Sequence, residues 1–103
     1  MEKLTKNNIQ EIMNSPLVFI DFWAEWCGPC NAIAPYYEAV ANKYRDKATF
    51  VKCNVDEEPE FSRKQGIMSI PCIMAYKNGV IVDKSVGLVN ESVLSSFVER
   101  QFN

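Results

Sequence analysis

The sequence predicts a mixed α/β domain, with helices on both faces of a central sheet of four to five strands. Three observations point there. A strand–helix–strand pattern spans residues 17–55, so its two strands are expected to run parallel. Asn78-Gly79 separates two apolar runs, a strong short-range sign of a β-hairpin. Apolar residues recur at helical spacing in segments before, between and after these strands. The chain has 103 residues, 48% hydrophobic and 23% charged, which suits one globular domain over 1–103 and argues against disorder.

Taken in order, residues 2–4 are a candidate for a short edge strand. Ile9, Ile12 and Met13 have helical spacing behind an Asn8-x-x-Glu11 pattern that resembles a capping box, and Pro16 ends that helix. Leu17 to Phe22 is a short apolar run rich in β-formers, read as a buried strand. A long helix follows Cys30, with Ile33, Tyr37, Val40, Ala41 and Tyr44 on one stripe and Arg45 and Lys47 near its negative end. Thr49 to Val55 reads as the second strand. Glu57, Glu58 and Glu60 open a short helix that Gly66 closes. Pro71 to Lys77 and Val80 to Val86 form the hairpin strands. A last helix starts from an Asn90 cap and carries Leu94, Phe97, Val98 and Phe102 on one face.

Composition narrows the function. Net charge is −2, from 11 basic and 13 acidic residues, so no basic surplus points to nucleic acid or an anionic membrane. No apolar stretch is long enough to span a bilayer, and the polar N-terminal segment Met1 to Asn8 is not read as a signal peptide. Histidine is absent, which removes Cys–His and Ser–His nucleophile pairs and histidine-ligated metals. Four cysteines are too sparse for a secreted disulfide scaffold, so a reducing, cytoplasmic setting is expected. No G-x-G-x-x-G offers a site for nicotinamide or flavin.

The chemistry is expected at Cys27-Gly28-Pro29-Cys30, on the junction between a strand and a helix. Two residues between cysteines bring the sulfurs within bonding reach across one helical turn. Cys27 falls at the helix's positive end, which favours its thiolate, while Cys30 lies one turn inside. Pro29 suits a first helical turn, where its missing N–H has no partner to lose. The functional reading is that Cys27 attacks and Cys30 resolves. The alternatives are half of a zinc site or two unrelated buried thiols. A second metal knuckle is lacking, since Cys53 and Cys72 lie far apart in predicted strands, and the strand–turn–helix setting favours redox chemistry.

Asp21 interrupts the apolar strand, so burial should raise its pKa and let it exchange a proton near neutrality; a structural, hydrogen-bonded Asp is the alternative. Lys52 sits inside another apolar strand and either pairs with a carboxylate or extends its amine to solvent. From base rates alone, the Ile70–Pro71 bond is expected to be trans. Cys53 and Cys72 read as small buried hydrophobes, and Trp26 as either core or an exposed contact for a partner.

With those residues in view, Trp23-Ala24-Glu25-Trp26-Cys27-Gly28-Pro29-Cys30 resembles the active-site signature of the thioredoxin family. The resemblance extends through Asp21-Phe22, Pro35, Asn54-Val55-Asp56, Ile70-Pro71, Lys77-Asn78-Gly79 and Val86-Gly87. The Gly-Pro pair between the cysteines is similar to that family's form, rather than to the Gly-His of disulfide isomerases or the Pro-His of periplasmic oxidases.

The resemblance implies the thioredoxin fold, a mixed sheet flanked by four helices with the hairpin strands antiparallel to the first βαβ pair. It implies a protein-disulfide reductase that works through a redox-active Cys27–Cys30 couple. No cofactor or metal would be bound, and electrons would come from a separate thioredoxin reductase linked to NADPH or ferredoxin. Clients would be disulfide-bearing proteins, and the chain would be monomeric. Asp21 would move protons beneath Cys30, with Lys52 near it. Pro71 would be a cis-proline beside the disulfide, against the base rate. Trp26, Gly28, Pro29, Ile70, Pro71, Val86 and Gly87 would form the surface that holds the client, and Pro35 would kink the long helix. Four positions depart from the family pattern. Asn31 replaces a basic residue, Cys72 replaces a threonine after Pro71, and Met68-Ser69 alters the loop before Ile70.

Overall fold

A computed structural model describes all of residues 1–103. In chain order the elements are β1 (Glu2–Lys3), α1 (Ile9–Met13), β2 (Leu17–Trp23), α2 (Gly28–Tyr44), β3 (Thr49–Asn54), α3 (Pro59–Lys64), β4 (Cys72–Lys77), β5 (Val80–Val86) and α4 (Glu91–Arg100). The five strands form one mixed sheet in the order β1-β3-β2-β4-β5. The edge strand at residues 2 and 3 does form, parallel to β3, and the Leu4 amide extends the pairing to the Lys52 carbonyl.

β2 is the centre of the sheet. It pairs parallel with β3 and antiparallel with β4. Because β5 is antiparallel to β4, it runs in the same direction as β2, so only the inner hairpin strand opposes the βαβ pair. Side chains alternate across the sheet. Phe19 faces one core layer with Ile33 and Tyr37 of α2 and Leu94, Phe97 and Val98 of α4. Val18, Ile20 and Phe22 face the other, with Leu4, Ile12 and Tyr76 and with Phe61 of α3. A strand covered on both faces must be apolar at nearly every position, which is why Leu17 to Phe22 is legible as a strand yet shows no alternation.

The turn between β4 and β5 has positive φ at both Asn78 (51°) and Gly79 (82°), the backbone that tight hairpins require. Asn90 caps α4, its Oδ1 accepting from the Val93 amide at 2.9 Å. Pro35 lies inside α2 and removes the amide that would have bonded to Asn31 one turn earlier.

Three local expectations are corrected. The Asn8 side chain makes no capping bond to α1. Its Oδ1 instead accepts from the Thr5 amide and its Nδ2 donates to the Lys3 carbonyl, so it ties α1 back to β1. The helix after β3 begins at Pro59, because the Glu57 and Glu58 amides bond to the Asn54 carbonyl in a turn. Phe102 lies beyond the end of α4, where it packs on Tyr44. From the cap geometry, Asn90→Ala should cost about 1 kcal/mol in urea unfolding; an unchanged midpoint would show that this bond contributes nothing.

Candidate active site

α2 starts just beyond the C-terminal end of the central strand β2. Cys27 is the N-cap of α2, in extended conformation (φ −89°, ψ 105°), and its sulfur accepts from the Cys30 amide at 3.2 Å. Gly28 and Pro29 occupy the first turn, and Cys30 follows one turn from Cys27. The two sulfurs are joined as a disulfide, with the Cα atoms 5.2 Å apart. Both cysteines are buried, Cys27 at 5% exposure and Cys30 at 1%. Asn31 is exposed, and its side-chain Nδ2 donates to the Glu25 carbonyl at 3.1 Å, bracing the loop before Cys27.

Asp21 is fully buried on β2, and neither carboxyl oxygen has a hydrogen-bond partner. Desolvation raises its pKa to about 6, with the Lys52 charge pulling the other way. Lys52 pairs in register with Asp21 across β2 and β3, its Nζ 4.0 Å from Asp21 Oδ2. The Tyr37 hydroxyl lies between the same two strands, donating toward the carbonyls of Phe19 and Val51 at 3.1 and 2.9 Å. That phenol is fully buried and its pKa is raised, by desolvation first and by the Asp21 charge second.

The Ile70–Pro71 bond is cis, which corrects the base-rate expectation. The Ile70 carbonyl lies 3.9 Å from the Cys27 sulfur, and the Pro71 carbonyl accepts from the Gly87 amide at 2.8 Å. Gly87 has φ +90°, a conformation that β-carbon-bearing residues rarely adopt. Val86 is half exposed at the end of β5. Trp26 is 72% exposed, so it is no core residue. Its indole Nε1 donates to Asp56 Oδ2 at 2.8 Å, and the Asp56 amide in turn bonds to Asn54 Oδ1. Trp26 and Ile70 also border a groove of about 310 Å³, which Val55, Ile67 and the fully exposed Met68 continue.

Three contacts escaped sequence reasoning. Asp56 holds Trp26, Tyr37 spans the strands beside Asp21, and Trp23 lies under the Lys52 ammonium. The sequence lists each as an ordinary strand-end or core residue, and only the sheet brings them to the site. Cys53 and Cys72 are buried free thiols. Each pairs in register with Phe22, on opposite sides of it, so they stand two strands or about 10 Å apart and cannot join in a disulfide. Burial pushes the Cys53 thiol up to about 11 and raises that of Cys72 as well. No group of three or more His, Cys, Asp or Glu side chains is placed to hold a metal ion.

This geometry supplies two sulfurs that can exchange between dithiol and disulfide with their backbone already in position. The protein is a thiol–disulfide oxidoreductase. The thioredoxin family model matches residues 1–100. Thioredoxin 1 of Nostoc sp. is 44% identical over 92 residues, covering 88% of this chain and 86% of that one. The thioredoxin of Staphylococcus saprophyticus is 41% identical over 98 residues, covering 95% and 94%. A solved structure of Plasmodium falciparum thioredoxin superposes with a TM-score of 0.90 at 40% identity, covering 97% of this chain and 98% of that one. The chain belongs to the thioredoxin family. That membership implies a redox-active disulfide with no bound cofactor, re-reduction by a thioredoxin reductase, and disulfide-bearing client proteins. No helix is long and apolar enough to cross a membrane.

The buried carboxyl has a consequence for stability. Its folded pKa of about 6 lies above the ordinary value of 3.8, so folding is favoured most when Asp21 is protonated. That advantage is complete below pH 3.8 and is lost as pH rises through 6. At pH 7 the ionised carboxyl costs the fold up to about 3 kcal/mol relative to acid. Asp21→Asn should therefore raise the urea midpoint at pH 7, with the gain shrinking toward zero below pH 4. A gain that is the same at both pH values would assign it to packing instead.

Proposed function

We propose that this chain, as a single domain over residues 1–103, is a monomeric cytoplasmic protein-disulfide reductase in which Cys27 is the attacking thiol. The observation that carries this reading is the position of Cys27 as the N-cap of α2, where the Cys30 amide points at its sulfur. A helix N-terminus favours an anion, so the reduced Cys27 is held ready as thiolate.

The reaction balances as two exchanges. The Cys27 thiolate attacks one sulfur of a client disulfide, forming a mixed disulfide and releasing the other client sulfur as a thiolate, which takes up a proton. Cys30 then loses its proton and attacks the Cys27 sulfur. The client leaves with both cysteines reduced, and the two electrons it gained leave Cys27–Cys30 oxidised. Cys30 is nearly inaccessible, so its proton needs an internal acceptor. Asp21 supports that role because it is buried and titrates near neutrality. Lys52 acts on the charge of that carboxyl from 4.0 Å.

The client would lie in extended form across Trp26, Gly28, Pro29, Ile70, Pro71, Val86 and Gly87. Trp26, next to Cys27, and Val86, abreast of Cys72, expose apolar surface, and the Ile70 carbonyl lies 3.9 Å from the Cys27 sulfur. A client backbone amide could donate to that carbonyl. The oxidised couple would be returned to dithiol by a reductase drawing on NADPH or ferredoxin.

Insulin reduction coupled to NADPH oxidation through candidate reductases tests the whole cycle, and a ferredoxin-linked reductase assayed in parallel identifies the donor. Cys27→Ser should reduce the rate to background. Cys30→Ser should leave clients attached to Cys27 as adducts on non-reducing gels, and their absence would remove Cys30 as the resolving thiol. Asp21→Asn should slow turnover at neutral pH by roughly tenfold or more; an unchanged rate would remove Asp21 from the mechanism.

A further inference from the structure

Lys52 is shared between two partners. Its Nζ lies 4.4 Å from the centroid of the Trp23 ring and 4.0 Å from Asp21 Oδ2. The second distance is too long for an N–H···O hydrogen bond, and both Asp21 oxygens remain without one. The lysine side chain is 23% exposed, so water is within its reach. A flexible four-carbon stem ordinarily carries its ammonium out to solvent rather than beside an apolar wall. The indole face supplies the counter-attraction, since an ammonium over tryptophan is the strongest of the aromatic pairings.

The sheet dictates this arrangement. Trp23 is two residues beyond Asp21 on β2, so both project from the same face. Lys52 stands abreast of Asp21, and Asn54 abreast of Trp23. Lys52 therefore reaches Trp23 by leaning along the strand, and in doing so it stays beside Asp21.

We propose that Trp23 is a positioning residue for disulfide exchange: its indole face holds the Lys52 ammonium beside Asp21, near enough to bias the carboxyl and too far to lock it in an ion pair. The proposal rests on the role of Asp21 in proton transfer given above. Without the ring, Lys52 swings to water and the carboxyl loses its one nearby positive charge. With a direct Lys52 hydrogen bond, the carboxyl would stay ionised and would no longer return its proton near neutrality. The Tyr37 hydroxyl of α2 lies on the same side of the sheet as the carboxyl, Cys72 of β4 stands beside Phe22 on the opposite face, and neither brings positive charge.

The test follows the Asp21 carboxyl carbon by ¹³C NMR against pH in the oxidised protein. The natural chain is compared with Trp23→Leu, Lys52→Met and their double variant, and with Trp23→Tyr alone and combined with Lys52→Met. Trp23→Leu should move the Asp21 midpoint upward by ~0.5 pH unit in the presence of Lys52, and leave it unmoved in the Lys52→Met background. Trp23→Tyr, which keeps an aromatic face, should give a smaller shift in the same direction, and it provides the same comparison should Trp23→Leu not fold. Equal shifts in both backgrounds would show that Trp23 acts by burying the carboxyl alone. No shift, or a downward one, would show that the ring does not hold the ammonium near Asp21. Either result overturns the proposal. The readout involves no turnover, so it stays separate from the test of Asp21 in exchange: an unaltered rate for Asp21→Asn would defeat that role while leaving the titration comparison intact.

Discussion

The Cys30 amide points at the sulfur of Cys27, and most of the structure serves to keep it there. That bond exists because α2 begins where β2 ends, with Cys27 as its cap. The helix cannot slide along the sheet. Ile33, Tyr37, Val40 and Ala41 lock it against Phe19 and α4, and the Tyr37 hydroxyl ties it to backbone carbonyls of both β2 and β3. A catalytic pair mounted on rigid elements keeps its geometry through the redox cycle, which a pair on a loop would not. Around this fixed point the other strands place the groups that the proposed mechanism uses: the Ile70–Pro71 bend ahead of β4, Gly87 after β5, and Lys52 on β3.

The same rigidity has a cost at Asp21. A fully buried carboxyl with no hydrogen-bond partner is unfavourable in any core. Its ionisation at neutral pH opposes folding by up to about 3 kcal/mol, against a typical total stability of about 5–15 kcal/mol. A side chain that cannot ionise would avoid that cost at neutral pH. A group kept at such expense fits a pattern in which sites trade stability for function. In the proposed mechanism the cost has a return, because only a desolvated carboxyl titrates where it can both accept and release a proton near neutrality.

Much of this was legible in the residues themselves, for local reasons. β5 matched its expected bounds because Asn78-Gly79 accepts the two positive φ angles a tight turn demands. β2 was legible because burial on both faces leaves an unbroken apolar run, and α2 because burial on one face leaves a helical stripe. The burial of Asp21 followed from its apolar flanks. What failed was decided by single side-chain choices. Asn8 had the spacing of a cap but found the Thr5 amide and the Lys3 carbonyl closer to hand. Glu57 and Glu58 looked like a helix start, yet the Asn54 carbonyl captured their amides. The cis bond before Pro71 had no signal in the residues beside it and was anticipated only through family resemblance. The bonds from Trp26 to Asp56 and from Lys52 toward Trp23 join segments about thirty residues apart, and such contacts follow from strand order rather than local pattern.

The central claim is that the start of α2 makes Cys27, and not Cys30, the reactive thiol. Alkylation of the reduced protein against pH, with the modified residue identified by mass spectrometry, tests it most directly. Cys27 should be modified first and should react rapidly between pH 6 and 7, where an unassisted thiol with a pKa of about 8.5 is almost wholly protonated. Modification of Cys30 first, or of both at the rate of an ordinary thiol, would show that the helix terminus does not activate Cys27.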